Sequence, residues 1–476
     1  MKFYLTLLII ISNLFSQNFK PESNVELNYR QLEFSWPQIP NSDSYQLTIT
    51  DVDTQQSYVI NNQHNILIHT GYELEWGHSY SWVVCGLNSN TITECHNEQY
   101  FSLSDLSQNI PPYPNILILD ENQVTEGITI YAGPGSNGSL GIDMYGDIFW
   151  FVEDYKFIKM AKNGNFISAQ GGYGREINKN GIIVFEIPEY DTDGNLLEVH
   201  HNMSKTNHNT YFTQIRKYEP HLCPIGCPEI VFLLNPDGIT LWKGDVLVEF
   251  DQLGNIIWEY DLFEYIGVHN YNDYYIQNIG PANSYTIDWT HSNEVFYDES
   301  SNAVYQSIRN LNTIGKIDYD TKEVIWYLGD LDTLGTNSYF NQHPTFNHQH
   351  TPRLLDNGNL MVFNNGTYND PQYISSCQEY AIDEENGSFN LVWEYVLVDS
   401  LYTKSRGGCH RFENGNTLIG TGQSAKLLEI NENDELVWYV NTLQNQLRRI
   451  SRIDNLYPSS FNIEFDNYQG TINNSY

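Results

Sequence analysis

Residues 315–329 read GKIDYDTKEVIWYLG: an alternating strand, a polar turn, and a second strand that carries a tryptophan after two apolar residues. The pattern returns in LVEFDQLGNIIWEYD (247–261), EYAIDEENGSFNLVWEYV (379–396) and LLEINENDELVWYV (427–440). Alternation with period two on both sides of a polar turn is typical of a β-hairpin. We therefore expect core positions for the four tryptophans, which are Trp258, Trp326, Trp393 and Trp438.

A second kind of hairpin interleaves with the first and begins with histidine. It comprises VHHNMSKTNHNTYFTQ (199–214), DWTHSNEVFYDESSNAVYQSI (288–308), HQHTPRLLDNGNLMVF (348–363) and CHRFENGNTLIGTG (409–422). One hairpin of each kind makes a four-stranded sheet, and such sheets arranged radially make a β-propeller. Residues 117–476 have room for six blades, of which RIDNLYP (452–458) is expected to start the closing one.

The spacing of the histidines predicts a shared location. His291, His350 and His410 are separated by steps of 59 and 60 residues, close to one blade each. The first strand of each blade lines the channel of a propeller, so residues just before these strands should converge at its mouth. Arg353 and Arg406 are expected to form salt bridges between blades.

The N-terminal part predicts a separate, smaller β domain. Short alternating strands over residues 25–105 resemble a fibronectin type III-like β-sandwich, and the Pro-rich stretch at 106–116 predicts a stiff linker. Residues 1–16 have a basic residue followed by an apolar run, which predicts a signal peptide and a periplasmic or secreted protein. The chain as a whole is predicted to be all-β, a small sandwich followed by a six-bladed propeller.

Composition argues against some classes of binding partner. The formal net charge of −36 argues against nucleic acid, because phosphate binding requires basic surface. No membrane span is expected in the mature chain, and its oligomeric state is left open. Six cysteines in an exported protein favour disulfides. Cys85 and Cys95 are expected to pair, Cys223 with Cys227 is a local possibility, and Cys377 with Cys409 could bridge adjacent blades.

The motifs DWTHSNEVFYDESSNAVYQSIRNLNTIGKID and FNHQHTPRLLDNGNLMVFNNG resemble the arylsulfotransferase family, over roughly residues 115–460. The resemblance implies an axial site in which histidines bind sulfate and one becomes transiently sulfated, with no nucleotide donor, cofactor or metal. His291 and His350 match site histidines of the family, and His410 is the third catalytic candidate. The expected substrate-binding residues are His201, Arg309, Asn293 and Asn365.

The predicted function is sulfuryl transfer from a phenolic sulfate ester to a phenol. Histidine suits this chemistry because its ordinary pKa near 6.5 allows it to act as a nucleophile or as an acid. Two alternatives remain open. One is an inactive propeller that binds an anionic or aromatic ligand in its channel. The other is a hydrolase or lyase acting on acidic polysaccharide, which would require paired carboxylates or a metal cluster near the axis.

Overall fold

A computed structural model describes residues 19–106, 113–132, 138–281, 284–331, 339–340, 342–366 and 373–458. The predicted signal peptide and most of the predicted linker lie outside these residues. The chain divides into two compact units. Among the described residues, the first unit contains 19–106, 149–151 and 455–458, and the second contains the remainder. No helix in the described part of the chain has the length and apolar character needed to cross a membrane.

The first unit is built from two β-sheets that share one core. Phe34 of the smaller sheet contacts Trp82 and Phe101 of the larger one, with ring centroids 5.3 and 6.0 Å apart. Two packed sheets agree with the predicted sandwich, whereas the relation to fibronectin type III stays a prediction. Cys85 and Cys95 form the expected disulfide. The strands are Val25–Leu27, Leu32–Ser35, Ser44–Asp51, Ser57–Asn62, Ile66–His69, Ser79–Asn88, Thr91–Cys95 and Gln99–Leu103.

The described residues form six further β-sheets, which belong to the second unit except for residues 149–151 of sheet 1. They are numbered here along the chain, and the strand named first in each sheet is called its first strand. Sheet 1 is Ile450–Ile453, Ile128–Ala132, Ser139–Ile142 and Ile148–Val152; sheet 2 is Phe157–Met160, Phe166–Gln170, Tyr173–Ile177 and Ile183–Glu186; sheet 3 is Val199–Lys205, Tyr211–Leu222, Ile239–Phe250 and Ile256–Asp261. Sheet 4 is Ser292–Asp298, Ala303–Ile308, Thr313–Asp318 and Val324–Gly329; sheet 5 is His350–Leu354, Leu360–Asn364, Ser376–Asp383 and Ser388–Val396; sheet 6 is Gly408–Arg411, Thr417–Gly420, Lys426–Ile430 and Leu436–Asn441.

Smaller elements complete this unit. Strand Asn115–Leu119 extends the outer edge of sheet 6, and Ile287–Asp288 pairs with the third strand of sheet 3. The α-helices are short and lie in connections of sheet 3 or after it, at Glu229–Leu234, Leu262–Tyr265 and Asp273–Gln277. Single 3₁₀ turns occur at Arg309–Leu311, Asp399–Leu401 and Gly422–Ser424. The predicted all-β class is confirmed.

The first strands of the six sheets form a ring of contacts. Each contacts the first strand of the next sheet, and that of sheet 6 contacts that of sheet 1. The ring closes because the strand Ile450–Ile453, close to the predicted start of the last blade, pairs with Ile128–Ala132. This arrangement supports the six-bladed propeller, which stays a prediction.

The repeated tryptophans connect neighbouring sheets. Each lies in a fourth strand and donates its indole N–H to the turn between the third and fourth strands of the next sheet. Trp258 donates to the Tyr319 carbonyl at 2.8 Å, and Trp326 donates to the Glu384 carboxylate at 2.7 Å. Trp393 donates to the Asp434 carboxylate at 3.1 Å, and Trp438 donates to the Met144 carbonyl at 2.8 Å. Trp393 is only partly buried, so its predicted core position was wrong. Its strand is largely solvent-exposed, and the ring is covered by Arg411 instead.

The predicted salt bridges of Arg353 and Arg406 are also absent from the described part of the chain. Arg353 donates to the carbonyl of Ile450, and Arg406 donates to the side chain of Gln446. Both guanidinium groups therefore keep their charge without a carboxylate partner there. The other two possible disulfides, Cys223–Cys227 and Cys377–Cys409, are present.

Candidate active site

Four histidines from three consecutive sheets converge at the start of the first strands. The ring of His201 lies 4.1 Å from that of His200, 4.8 Å from that of His291 and 6.2 Å from that of His350, measured between centroids. We call these four residues the histidine cluster. His200 and His201 lie in the first strand of sheet 3, His291 directly precedes that of sheet 4, and His350 begins that of sheet 5.

Irregular backbone aims these side chains at one another. The pairing register of the first strand shifts within 199–203 in sheet 3, 292–294 in sheet 4 and 350–353 in sheet 5. Such bulges redirect side chains and occur often beside active sites. His201 and His291 adopt left-handed backbone with φ of 62° and 46°. This conformation is unfavourable for a residue with a Cβ atom, and it typically persists where function requires it.

Hydrogen bonds fix the ring orientation of three members. Nδ1 of His200 lies 2.8 Å from Asp245, and Nδ1 of His291 lies 2.6 Å from Asp288. Nδ1 of His350 lies 3.2 Å from the carbonyl oxygen of Gly407. Because these partners are acceptors, each Nδ1 carries the hydrogen, and Nε2 is the nitrogen left with a lone pair in the neutral ring.

Asp245 holds two parts of the histidine cluster in place by hydrogen bonds. Besides His200, this buried carboxylate accepts hydrogen bonds of 2.7 Å from the Thr290 hydroxyl and from the Ser292 amide. These two residues flank His291, so one carboxylate holds both the ring of His200 and the backbone that presents His291. The nearby histidine and these donors keep the pKa of Asp245 below its ordinary value, against the opposing effect of burial.

Guanidinium groups surround the histidine cluster. Arg309 donates to the Tyr275 hydroxyl at 3.0 Å and to the Asn310 side chain at 2.8 Å, and it has no carboxylate partner among the described residues. Arg449 forms a 2.7 Å ion pair with Glu294. In a chain with a net charge of −36, this local positive charge would attract an anion.

Burial and these cations favour the neutral imidazoles of His350 and His291. Burial, together with Arg449, Arg309 and Arg406, places the pKa of His350 well below its usual value. Burial lowers the pKa of His291 to about 4, although Asp288 acts in the opposite direction. A neutral imidazole with its lone pair on Nε2 can act as a nucleophile.

The two asparagines predicted to bind substrate make structural contacts. The side chain of Asn293 donates to the carbonyl of Gln349 at 2.8 Å, next to His350. The side chain of Asn365 donates to the carbonyls of Thr403 and Arg406 at 2.8 and 2.9 Å. Both amides are fully buried, and they hold the segments that carry His350 and Arg406.

His410 lies apart from the histidine cluster. It is the third residue of its strand, Gly408–Arg411, whereas His350 is the first of its own. It lines a cavity of about 1480 Å³ with the later residues of the first strands, among them Arg353. Burial and the nearby Arg353 and Arg452 lower the pKa of His410 to about 3. Even spacing in sequence suggested equivalent positions, but it does not fix where in a strand a residue falls.

Several neighbours of the predicted residues were not anticipated. These are His200, Asp245, Tyr275, Asp288, His348 and Arg449. The doubled histidine in VHHN and the aspartate three residues before His291 were signals that could have been used. Asp245 gives no such signal, because it lies in the third strand of its sheet, far along the chain from its partners.

Comparison with known proteins identifies the family. The family model described as Arylsulfotransferase (ASST) matches residues 119–457. The chain belongs to the arylsulfotransferase family. Membership supports a sulfotransferase-type enzyme that acts on small aryl substrates. The matched region contains the whole histidine cluster and Arg309. No curated protein sequence matches this arylsulfotransferase family member.

Three solved structures are distantly similar to this arylsulfotransferase family member. A protein of unknown function from Bacteroides caccae is 10% identical, with a TM-score of 0.41, and covers 68% of this chain and 98% of its own. A streptogramin B lyase is 13% identical, with a TM-score of 0.37, over 72% and 85% of the two chains. A putative 6-phosphogluconolactonase from Bacteroides uniformis is 12% identical, with a TM-score of 0.35, over 86% of this chain and 100% of its own.

Proposed function

We propose that the protein is an exported aryl-sulfate sulfotransferase that works through a sulfohistidine, within a six-bladed propeller. The observation that carries the proposal is the environment of His350. Its Nδ1–H is held by the Gly407 carbonyl, and its ring is buried beside unneutralised guanidinium charge. Nε2 of the neutral ring is therefore a nucleophile placed where a sulfate ester would be attracted.

In the first half-reaction, Nε2 of His350 attacks sulfur, an N–S bond forms, and the bond from sulfur to the aryl oxygen breaks. Arg309 would neutralise charge on the sulfuryl oxygens, as cations do in the related phosphoryl transfers. His291 protonates the departing phenolate through Nε2. Asp288 stabilises the imidazolium that this role requires, and the arriving anion favours its protonation.

The second half-reaction reverses these roles. The oxygen of an acceptor phenol attacks the sulfur of sulfo-His350 while His291, now neutral, takes the phenolic proton. The N–S bond breaks, its electron pair returns to Nε2 of His350, and the new aryl sulfate leaves. His291 thus acts as acid in one step and as base in the other.

The test uses the purified mature chain with 4-nitrophenyl sulfate, with and without phenol. We expect phenol-dependent release of nitrophenolate and, without acceptor, a mass increase of one SO₃ group on His350. His350→Ala should abolish both, and His291→Ala should reduce release by about 10²–10⁴-fold, the usual contribution of an acid–base residue.

Two variants sharpen this test. His208→Ala changes an exposed histidine outside the histidine cluster and is the control for loss of an imidazole. His410→Ala asks whether the nucleophile is instead the histidine in the separate cavity. Sulfation of His410 would contradict the assignment of His350. An intact chain that binds 4-nitrophenyl sulfate but releases nothing with any phenol would favour the inactive binding propeller.

A further inference from the structure

Three members of the histidine cluster place ring nitrogens close together. One ring nitrogen of each of His200, His201 and His291 lies within 4.8 Å of the other two. Nε2 of His201 and Nε2 of His291 are only 2.8 Å apart and share a hydrogen bond. His201 and His291 are partly accessible, so a small ion can reach this side of the cluster.

Two of these rings contact a carboxylate through Nδ1. Asp245 holds Nδ1 of His200 and Asp288 holds Nδ1 of His291, at 2.8 and 2.6 Å. A histidine that ligates a metal commonly donates its other ring N–H to a carboxylate, which fixes the tautomer and makes the free nitrogen more basic. The two aspartates also supply negative charge near the three imidazole ligands.

We propose that His200, His201 and His291 form a binding site for a divalent transition metal ion, each through one imidazole nitrogen. Imidazole ligands suit zinc, copper and nickel. Zn–N bonds of about 2.0–2.1 Å place tetrahedral ligand nitrogens roughly 3.4 Å apart. The nitrogens of His201 and His291, 2.8 Å apart, would separate slightly, and any wider pair, at most 4.8 Å apart, would move closer. Three protein nitrogens leave a fourth position for water, the ligand arrangement of open zinc sites.

We expect a bound metal ion and the sulfuryl donor to compete for the histidine cluster. This part of the inference rests on the proposed function. An ion would occupy the nitrogen of His291 that serves as acid and base, and would draw His201 away from its hydrogen bond. The metal-bound chain should therefore transfer no sulfuryl group. Zn²⁺ is expected to inhibit release of nitrophenolate, and EDTA is expected to restore it.

The test measures binding directly, using the full mature chain stripped with EDTA and desalted. Zn²⁺ is titrated by calorimetry, and Co²⁺ is added to a second sample to record its visible absorption. We expect one tight site per chain, lost in His200→Ala and in His291→Ala and unchanged in the control His208→Ala. Asp288→Asn keeps all three ligands and should weaken Zn²⁺ binding by about 10–100-fold.

The outcomes separate this inference from the proposed function. Binding that is equal in the wild type, His200→Ala and His291→Ala would assign the metal to surface groups and overturn the inference. If an alanine variant fails to fold by circular dichroism, the affinity of Asp288→Asn decides, and an affinity equal to that of the wild type overturns it. A chain that binds one Zn²⁺ but transfers no sulfuryl group even after the metal has been removed would support the metal site and contradict the proposed function.

Discussion

At the scale of single residues, a few contacts decide the chemistry of His350. The Gly407 carbonyl selects which nitrogen carries the hydrogen, and the surrounding guanidinium groups oppose protonation of the ring. His350 and His291 could be predicted from motifs in the sequence, because each precedes or begins a recognisable strand. Asp245 could not, because its contact with His200 spans 45 residues and arises only when the first and third strands of sheet 3 come together.

This environment predicts how the rate depends on pH. A lowered pKa keeps His350 unprotonated below the ordinary value of 6.5, so the nucleophile remains available as the pH falls through 6.5. We expect the rate of sulfation of His350 from 4-nitrophenyl sulfate not to fall as the pH is lowered from 7.5 to 6, and to decline only at lower pH. Single-turnover measurements across this range provide the check. A half-maximal rate near pH 6.5 would show that the ring titrates like an exposed histidine.

At the scale of elements, the hairpins could be predicted from the alternation of apolar residues, whereas the bulges could not. A bulge adds one residue to one strand without changing the apolar pattern, so its position depends on packing between sheets. The tryptophan repeat likewise has one property that could be predicted from the sequence and one that could not. Its burial was predicted correctly for Trp258, Trp326 and Trp438, whereas the donation of each indole N–H to the next sheet could not be predicted.

The Trp438 contact should contribute measurably to stability. Its indole N–H donates to the Met144 carbonyl at 2.8 Å, and the side chain is fully buried. Trp438→Phe would leave that carbonyl unpaired, which costs about 1–3 kcal/mol, and would also leave a small void. The measurement is the free energy of unfolding in urea. Trp393→Phe, in a partly exposed ring with an exposed acceptor, is the matched comparison and should cost less than half as much.

At the scale of the whole second unit, one carboxylate joins the beginning and the end of its chain. Glu429 of sheet 6 accepts hydrogen bonds from the amide and hydroxyl of Thr125, both 2.7 Å, and forms an ion pair with Arg452 of sheet 1. Arg452 also donates to the Thr129 hydroxyl at 2.7 Å. Repeats in the sequence predicted the hairpins, but residues more than 300 positions apart gave no sign of this junction.

Removing the cation of this junction should destabilise the ring. Arg452→Met leaves Glu429 buried without its ion partner, and breaking such a pair typically costs about 3–5 kcal/mol. Arg411→Met breaks a partly exposed pair with Glu379 and should cost about 1 kcal/mol or less. Thermal and urea unfolding of both variants gives the comparison. Equal losses would mean that the buried junction carries no special share of the stability.

The closure of sheet 1 by the strand Ile450–Ile453 has a consequence for the timing of synthesis. Arg452 and Thr125 are 327 positions apart, so at about 5–20 residues per second the ribosome needs roughly 15–65 s to supply the missing partner. During that interval the strand Ile128–Ala132, entirely buried in the finished protein, has one edge without its neighbour. An apolar open edge invites pairing with other chains. The nascent protein is therefore most prone to aggregate just before its last strand emerges.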